Sequence, residues 1–323
     1  MFTVLGVTFP FFALVLLGYV AARQGWMPLA AIPGLNTFVL FFALPCMLFR
    51  FGVTTDMAQL LQPAVWALHA SVALFVVALT IALTRRGTMG WNDAAFGALV
   101  AAFPNTGFMG VPLLVGLLGV QASAPAIITI LIDLVITSSL CIALSRLDGA
   151  GLAGARTAAR RALRGVLSNP MPWAILLGAW FSAAQWRLPQ PMQQSVWMLA
   201  DAASPAALFT IGAVLARAHL VAPTQTRMVA VWPVVGIKLI LHPALVLMGA
   251  WLFARMGWPI ERETLTALVL VAALPSASNV SILAERFGAD TGRIARIILL
   301  TTALAFITFS AAVYGLHPSP ALG

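Results

Sequence analysis

Apolar residues run along this chain in stretches of about twenty, the length a helix needs to cross hydrocarbon, with arginines collecting in the short breaks between them. The stretches fall at roughly 3–22, 33–51, 63–83, 92–119, 124–144, 169–186, 194–216, 228–253, 264–286 and 293–315. No charged side chain lies between Met1 and Ala22, between Gln24 and Phe49, or from Ile297 onward. The pattern predicts an all-α integral membrane protein of ten spans, the first retained as a span and not removed as a signal peptide. The longest connection, 145–168, holds Arg146, Arg156, Arg160, Arg161 and Arg164 and is expected to lie on an anionic lipid face.

An internal repeat divides the ten spans. Pro45, Leu48, Phe49 and Gly52 of span 2 recur as Pro205, Leu208, Phe209 and Gly212 of span 7, 160 residues on. Ala-Ala-apolar-Pro ends at Pro104 in span 4 and at Pro275 in span 9. Five spans precede the basic connection and five follow it. Because five is odd, the second set enters the membrane in the opposite sense, an inverted repeat of the kind secondary transporters use. The expected organisation is a first five-helix repeat over 1–144, a basic cytoplasmic linker over 145–168 and a second repeat over 169–323, together one membrane domain.

Composition agrees with the pattern. The chain is 61% hydrophobic and 8% charged, against about 25% charged in soluble domains, so too little polar surface exists to coat a globule in water. The net charge of +9 would suggest nucleic acid in a soluble protein. Here the basic residues encode topology. Thirteen arginines lie after odd-numbered spans and four after even-numbered ones. That bias predicts a multi-pass protein of the inner (plasma) membrane with both termini on the non-cytoplasmic side. Trp26, Trp91, Trp186, Trp251 and Trp258 fall near span ends, as an interfacial belt would place them.

Two spans carry breaks. Span 4 contains FPNTGFMGVP, with Pro104, Asn105, Thr106, Gly107, Gly110 and Pro112, and span 9 contains LPSASN, with Pro275, Ser276, Ser278 and Asn279. Proline removes a helix donor and clashes with the preceding turn. Opened backbone is tolerated in hydrocarbon only where protein buries it or a cavity needs it. Each break frees a half-helix N-terminus with its amides and partial positive charge. Two such ends at matching depth predict a midplane anion site, with Asn105, Thr106, Ser276, Ser278 and Asn279 as further polar groups suited to a carboxylate. The competing reading is a pair of proline kinks packed with small residues.

These segments resemble the auxin efflux carriers: LNTFVLFFALPCMLF in span 2, FPNTGFMGVPLLVGLLG in span 4, NPMPWAILLG in span 6, PAALFTIGAVLA in span 7 and LPSASNVSILAERFG in span 9. The resemblance implies two inverted five-helix repeats whose broken helices 4 and 9 cross at their prolines. It also implies transport of a small organic carboxylate, auxin in plants and malonate or malate among bacterial members. The family's crossover proline and asparagine carry over to Pro104 and Asn105, and its second proline to Pro275. The plant proteins also carry an acid–base pair in span 3, where this chain offers only His69.

Charge inside the membrane costs roughly 2.5–3.5 kcal/mol per residue, so each intramembrane ionisable group needs a reason. Asp133 in span 5 and Lys238 in span 8 are expected either to pair as a structural bridge or to bind substrate or relay a proton, unless one snorkels or faces water. His69 and His242 read as hydrogen-bonded packing residues, Asp201 as reaching an aqueous vestibule, and Arg50 as an interfacial anchor. Cys46 and Cys141 read as small hydrophobes. Neither the acids nor the histidines form a catalytic or metal-ligand set, so no enzyme, cofactor or metal is expected. The reading is an alternating-access carrier of a carboxylate anion, with a sodium-coupled symporter of the bile-acid type as the alternative and an intramembrane enzyme or sensor as a distant one. Partners are the substrate and the bilayer and not nucleic acid. Proton and sodium coupling both stay open, as does a homodimer. Cysteines introduced into 145–168 are expected to resist an impermeant thiol reagent in intact cells. Ready labelling there, with protection of the C-terminus, would reverse the orientation.

Overall fold

A computed structural model describes residues 2–85, 89–148, 154, 156, 157, 160, 163–165, 167–221 and 231–316. Eleven of the 24 residues of the predicted basic linker, and 228–230 at the start of the predicted span 8, lie outside these. Helices occupy the predicted spans: α1 Phe2–Arg23, α2 Leu29–Thr54, α3 Pro63–Thr84, α4 Trp91–Ala102, α5 Val111–Leu118, α6 Val120–Leu144, α7 Pro170–Ala183, α8 Gln190–Val221, α9 Trp232–Arg255, α10 Arg262–Ala273, α11 Asn279–Phe287 and α12 Thr291–Leu316. Among the described residues no strand forms. Six helices (α2, α6, α8, α9, α12 and α3 extended to Ala58) are each long and apolar enough to cross a bilayer. The expected spans 4 and 9 are each two half-helices, α4 with α5 and α10 with α11.

The outer surface has the chemistry lipid requires. Phe41, Phe42, Phe75, Trp180, Ile240, Met248, Trp251 and Ile307 are exposed. An apolar surface this extensive is rare on soluble monomers and is the expected face toward acyl chains. Trp91, predicted for the interfacial belt, lies under the Arg85 guanidinium, 4.2 Å from its ring centroid.

Small residues set two close helix contacts, as they do where lipid removes the hydrophobic drive for helix association. Gly212 of α8 packs on the backbone of Val15 and Tyr19 in α1, and Gly18 of α1 packs on Phe209 of α8. The other contact has the same design: Gly52 of α2 packs on Ile175 and Gly178 of α7, and Gly178 on Phe49. Each participant in one contact lies 160 positions from its counterpart in the other: Gly18 and Gly178, Gly52 and Gly212, Val15 and Ile175, Phe49 and Phe209. Helices α1, α2, α7 and α8 thus form one packed group, and the remaining helices gather around the two broken spans.

The connections sort onto two ends. At one end Asn92 donates to the carbonyls of Phe287 (3.2 Å) and Gly288 (3.0 Å), Arg146 donates to Phe287 (3.2 Å), and Arg293 donates to Asp93 (3.0 Å). These residues lie at the connections after spans 3, 5 and 9, so those three connections share a face. At the other end Thr55 and Ser123 hydroxyls meet at 2.9 Å, and Ser182 donates to the Thr55 carbonyl at 3.2 Å. Arg50, predicted as an anchor, forms a 2.6 Å ion pair with the exposed Asp201 and ties α2 to α8.

A Cβ on Gly52 would lie 2.8 Å from the Ile175 carbonyl oxygen, and one on Gly212 would overlap the Val15 carbonyl, whereas one on Gly34 meets nothing within 4 Å. Gly52→Ala and Gly212→Ala are expected to destabilise by about 1–3 kcal/mol through overpacking, and Gly34→Ala to be neutral or slightly stabilising. Thermal unfolding of the purified variants in detergent measures all three.

Candidate functional site

Both breaks leave the helix in extended conformation. Phe103 caps α4 at φ −94°, ψ 100°, and Leu274 caps α10 at φ −60°, ψ 155°. The proline that follows each disfavours helical geometry at these residues, so the opening is local in origin. The two openings then pair with each other. Asn105 donates its amide to the Pro275 carbonyl at 2.9 Å, and Ala277 donates to the Phe103 carbonyl at 3.0 Å, an antiparallel bridge centred on Pro104 and Ser276. Half-helices α4 and α11 lie toward the end that carries Asn92 and Arg293, and α5 packs with α10 at the other.

Pairing consumes groups that a free half-helix end would offer. Besides the two bridging amides, the Ser276 amide donates to Thr301 Oγ1 at 3.3 Å and the Thr106 amide to the Pro104 carbonyl at 2.8 Å. Ser276 Oγ, expected as a ligand group, donates to the Val100 carbonyl at 2.7 Å and so ties the two breaks together. The free amides expected at each opening are therefore partly spent on holding the breaks in place.

Side chains remain. Asn105 Oδ1, Thr106 Oγ1 and Asn279 Oδ1 are buried with no partner among the described residues. Asn105 is 2% exposed and Thr106 fully buried. An amide can turn to present either oxygen or NH2, and a hydroxyl both donates and accepts. A Cβ on Gly107 would meet nothing within 4 Å, so there is open space at that position. Gly110 instead lets the second break approach, since its Cβ would lie 2.5 Å from Leu274 Cδ1. Ser278 is buried at the N-terminus of α11.

Asp133 and Lys238 do not meet directly. Asp133 opens a five-residue π turn, Asp133–Thr137, and faces His69 Nε2, 3.4 Å from each carboxylate oxygen. Thr137 donates to Asp133 Oδ1 at 3.1 Å, and Ser138 Oγ donates to the Asp133 carbonyl at 2.8 Å. Lys238 lies in a second π turn, Ile237–Leu241, with Nζ 3.2 Å from His242 Nδ1. The two imidazoles bridge the gap, with ring centroids 6.4 Å apart. All four residues are buried. π turns concentrate at functional positions. The histidines, expected as hydrogen-bonded packing residues, are buried against Asp133 and Lys238; that the two rings neighbour each other was not signalled by their positions on separate spans. The four-residue spacing of Lys238 and His242, and of Asp133 and Thr137, did place each pair on one face.

Lys238 also reaches the break. Its ammonium donates to the Ala272 carbonyl at 3.0 Å, one of the carbonyls that ends α10. That end carries the negative pole of the half-helix, where a cation is favoured, so a buried charge and a truncated helix compensate each other. Lys238→Met removes a charged donor from a buried carbonyl and is expected to destabilise by about 1–3 kcal/mol, while Lys238→Arg costs less. Thermal unfolding of the two variants tests the assignment; equal stability of Lys238→Met and the parent would remove it.

A cavity of about 490 Å³ lies away from the paired breaks, between the ends of α3, α5, α6 and α10, and its lining includes Gln59, Gln121, Glu261 and Glu263.

Comparison with known proteins places this geometry in context. The profile of one protein family, described as membrane transport protein, matches residues 3–313. A Rhizobium meliloti protein named "Putative malonate transporter" is 28% identical over 312 residues, 96% of this chain and 94% of its own. An Escherichia coli protein named "Uncharacterized transporter YfdV" is 27% identical over 316 residues, 94% of each chain. Auxin efflux carrier component 4 of Arabidopsis thaliana is 30% identical over 156 residues, 47% of this chain and 25% of its own.

Proposed function

Since the chain belongs to the membrane transport protein family, the family of the auxin efflux carriers, we propose that it is a secondary carrier of a small organic carboxylate bound where the two broken spans pair. That it is a membrane transporter and not an enzyme follows from the family. The carboxylate class extends to this chain what the name of the Rhizobium relative says of that protein.

One observation carries the site. Native proteins leave few buried polar groups unsatisfied, and each costs about 1–3 kcal/mol. Three such oxygens, on Asn105, Thr106 and Asn279, belong to the two breaks, and there is open space at Gly107. A ligand that accepts and donates hydrogen bonds relieves that cost, which a packed kink does not. The positive ends of α5 and α11 then favour an anion over a neutral ligand. Pro104, Pro275 and Ser276 position the site, and Asn105, Thr106, Gly107, Ser278 and Asn279 line it.

The architecture proposed around it is ten spans in two inverted five-helix repeats, 1–144 and 169–323, joined by a cytoplasmic linker at 145–168, with broken helices crossing at the midplane. Supporting this are the two glycine contacts repeated at an offset of 160 residues and the gathering of arginine-rich connections at one end. In the proposed cycle the paired breaks face each side of the inner membrane in turn, with both termini outside.

Malonate is the probe for the test. Asn105→Ala loses a hydrogen bond to a charged group, about 1.5–3 kcal/mol, and is expected to weaken malonate binding roughly tenfold to hundredfold. Asn105→Asp is expected to bind more weakly still, because it sets a like charge against the carboxylate. Malonate-induced thermal stabilisation of the purified variants, paired with transport, reads both. Undiminished binding in both variants would move the site away from the paired breaks.

A further inference from the structure

The chain Asp133–His69–His242–Lys238 stands apart from the paired breaks yet touches them, and the geometry points to a second functional site: a buried proton site that couples carboxylate transport to a proton gradient. The inference rests on the proposal that the breaks hold a carboxylate, since the proton's work is done on that anion.

Three observations converge. First, the cluster joins one acid and one base to two imidazoles, each of which has a second ring nitrogen that can carry a proton. With both histidines neutral, Asp133 and Lys238 sum to zero; one added proton makes the cluster +1. Second, each histidine uses one ring nitrogen and leaves the other over. His69 Nδ1 and His242 Nε2 are buried without a partner among the described residues, although the opposite nitrogens face Asp133 and Lys238. A packing role would satisfy both nitrogens or expose one. Third, the cavity of about 490 Å³ ends just short of the cluster. Val65 lines it one helical turn before His69 on α3, Ile128 five residues before Asp133 on α6, and Thr266 six residues before Ala272 on α10. At about 1.5 Å per residue the cluster lies roughly 6–9 Å beyond the lining. Glu261, Arg262 and Glu263 line this cavity and leave it one net negative charge.

Other charged groups on the neighbouring helices sit at their ends. Asp93 lies in the first turn of α4, Arg262 and Glu263 in the first turn of α10, and Arg293 and Arg296 in the first two turns of α12. Arg255 lies in the last turn of α9. Cys141, two turns beyond Asp133 on α6, is buried within electrostatic reach of it.

A proton leaves a hydronium ion in the cavity, crosses the roughly 6–9 Å to the cluster along water entering from the cavity, and binds His69; one O–H bond breaks, one N–H bond forms, and water is left behind. The proton rests on His69 beside the Asp133 carboxylate, because His242 Nδ1 already accepts from the Lys238 ammonium. The extra positive charge favours an anion at the breaks, to which Lys238 is tied through Ala272, three residues before Pro275. Release of the proton on the other side removes that preference, so substrate and proton move together.

Proteoliposomes of the full chain test this with labelled malonate and an internal pH dye. In the parent, an inward proton gradient drives accumulation and the dye reports acidification with it. His69→Gln keeps the bulk and one hydrogen bond but holds no proton. Its ratio of gradient-driven accumulation to malonate counterflow is expected to fall about tenfold, and that of Asp133→Asn likewise. A parental ratio in His69→Gln overturns the proton site. If the parent moves no malonate in either assay, malonate is not its carboxylate, a result separate from the proton site. The proton site is then read from the ¹⁵N ring signals of the purified protein, assigned with His69→Gln and His242→Gln. A ring titrating between about pH 5 and 8 and shifted by Asp133→Asn supports it; rings that do not titrate overturn it.

Discussion

Hydrocarbon offers no water to a free amide, so a membrane helix can be opened only where protein takes up the freed backbone groups. That constraint organises this molecule. Pro104 and Pro275 each open a span, and neither opening is tolerable alone. Together they are, because the Asn105 amide finds the Pro275 carbonyl and the Ala277 amide finds Phe103. Thr301, Val100 and Ser276 complete the arrangement. Four half-helices are thereby fixed in one place, with Asn105, Thr106, Ser276 and Ser278 buried at the breaks.

The same constraint explains where the buried charges stand. An ammonium in the membrane interior is expensive in isolation. Lys238 is placed where a truncated helix presents unsatisfied carbonyls, and it donates to Ala272. Asp133 has Thr137 and His69. The opened helix and the ionisable chain therefore stabilise each other, and a change of protonation in one is felt in the other. This is the physical basis for proposing that the chain couples a proton to the breaks. A directly bonded Asp133–Lys238 pair would have been self-contained and largely insensitive to both.

Much of this was legible in the residues. Spans were legible because uncharged runs of twenty have few alternatives. The breaks were legible because proline acts on its own backbone neighbours. What escaped was pairing between elements far apart in the chain. Ser276 looks like a ligand group in LPSASN, but its hydroxyl is committed to Val100, 176 residues away. His69 and His242 read as hydrogen-bonded packing residues, but their partners were not legible, since nothing local to either says that α3 and α9 pack together. Arg50 and Asp201 were read apart as an anchor and a vestibule residue, and they are bonded. Only the repeat at 160 residues spoke of long-range order, and the glycine contacts of α1 with α8 and α2 with α7 follow it.

The central claim is that a carboxylate occupies the space beside the paired breaks. Gly107 borders that space and tolerates a side chain, so a thiol placed there reports occupancy directly. In a chain with Cys46→Ala and Cys141→Ala, the alkylation rate of Gly107→Cys is measured with and without malonate and other small mono- and dicarboxylates, with Gly34→Cys as the lipid-side control. The account predicts that at least one carboxylate slows labelling at 107 in a saturable way and leaves 34 unchanged. Labelling at 107 that proceeds at the same rate with every carboxylate would contradict it.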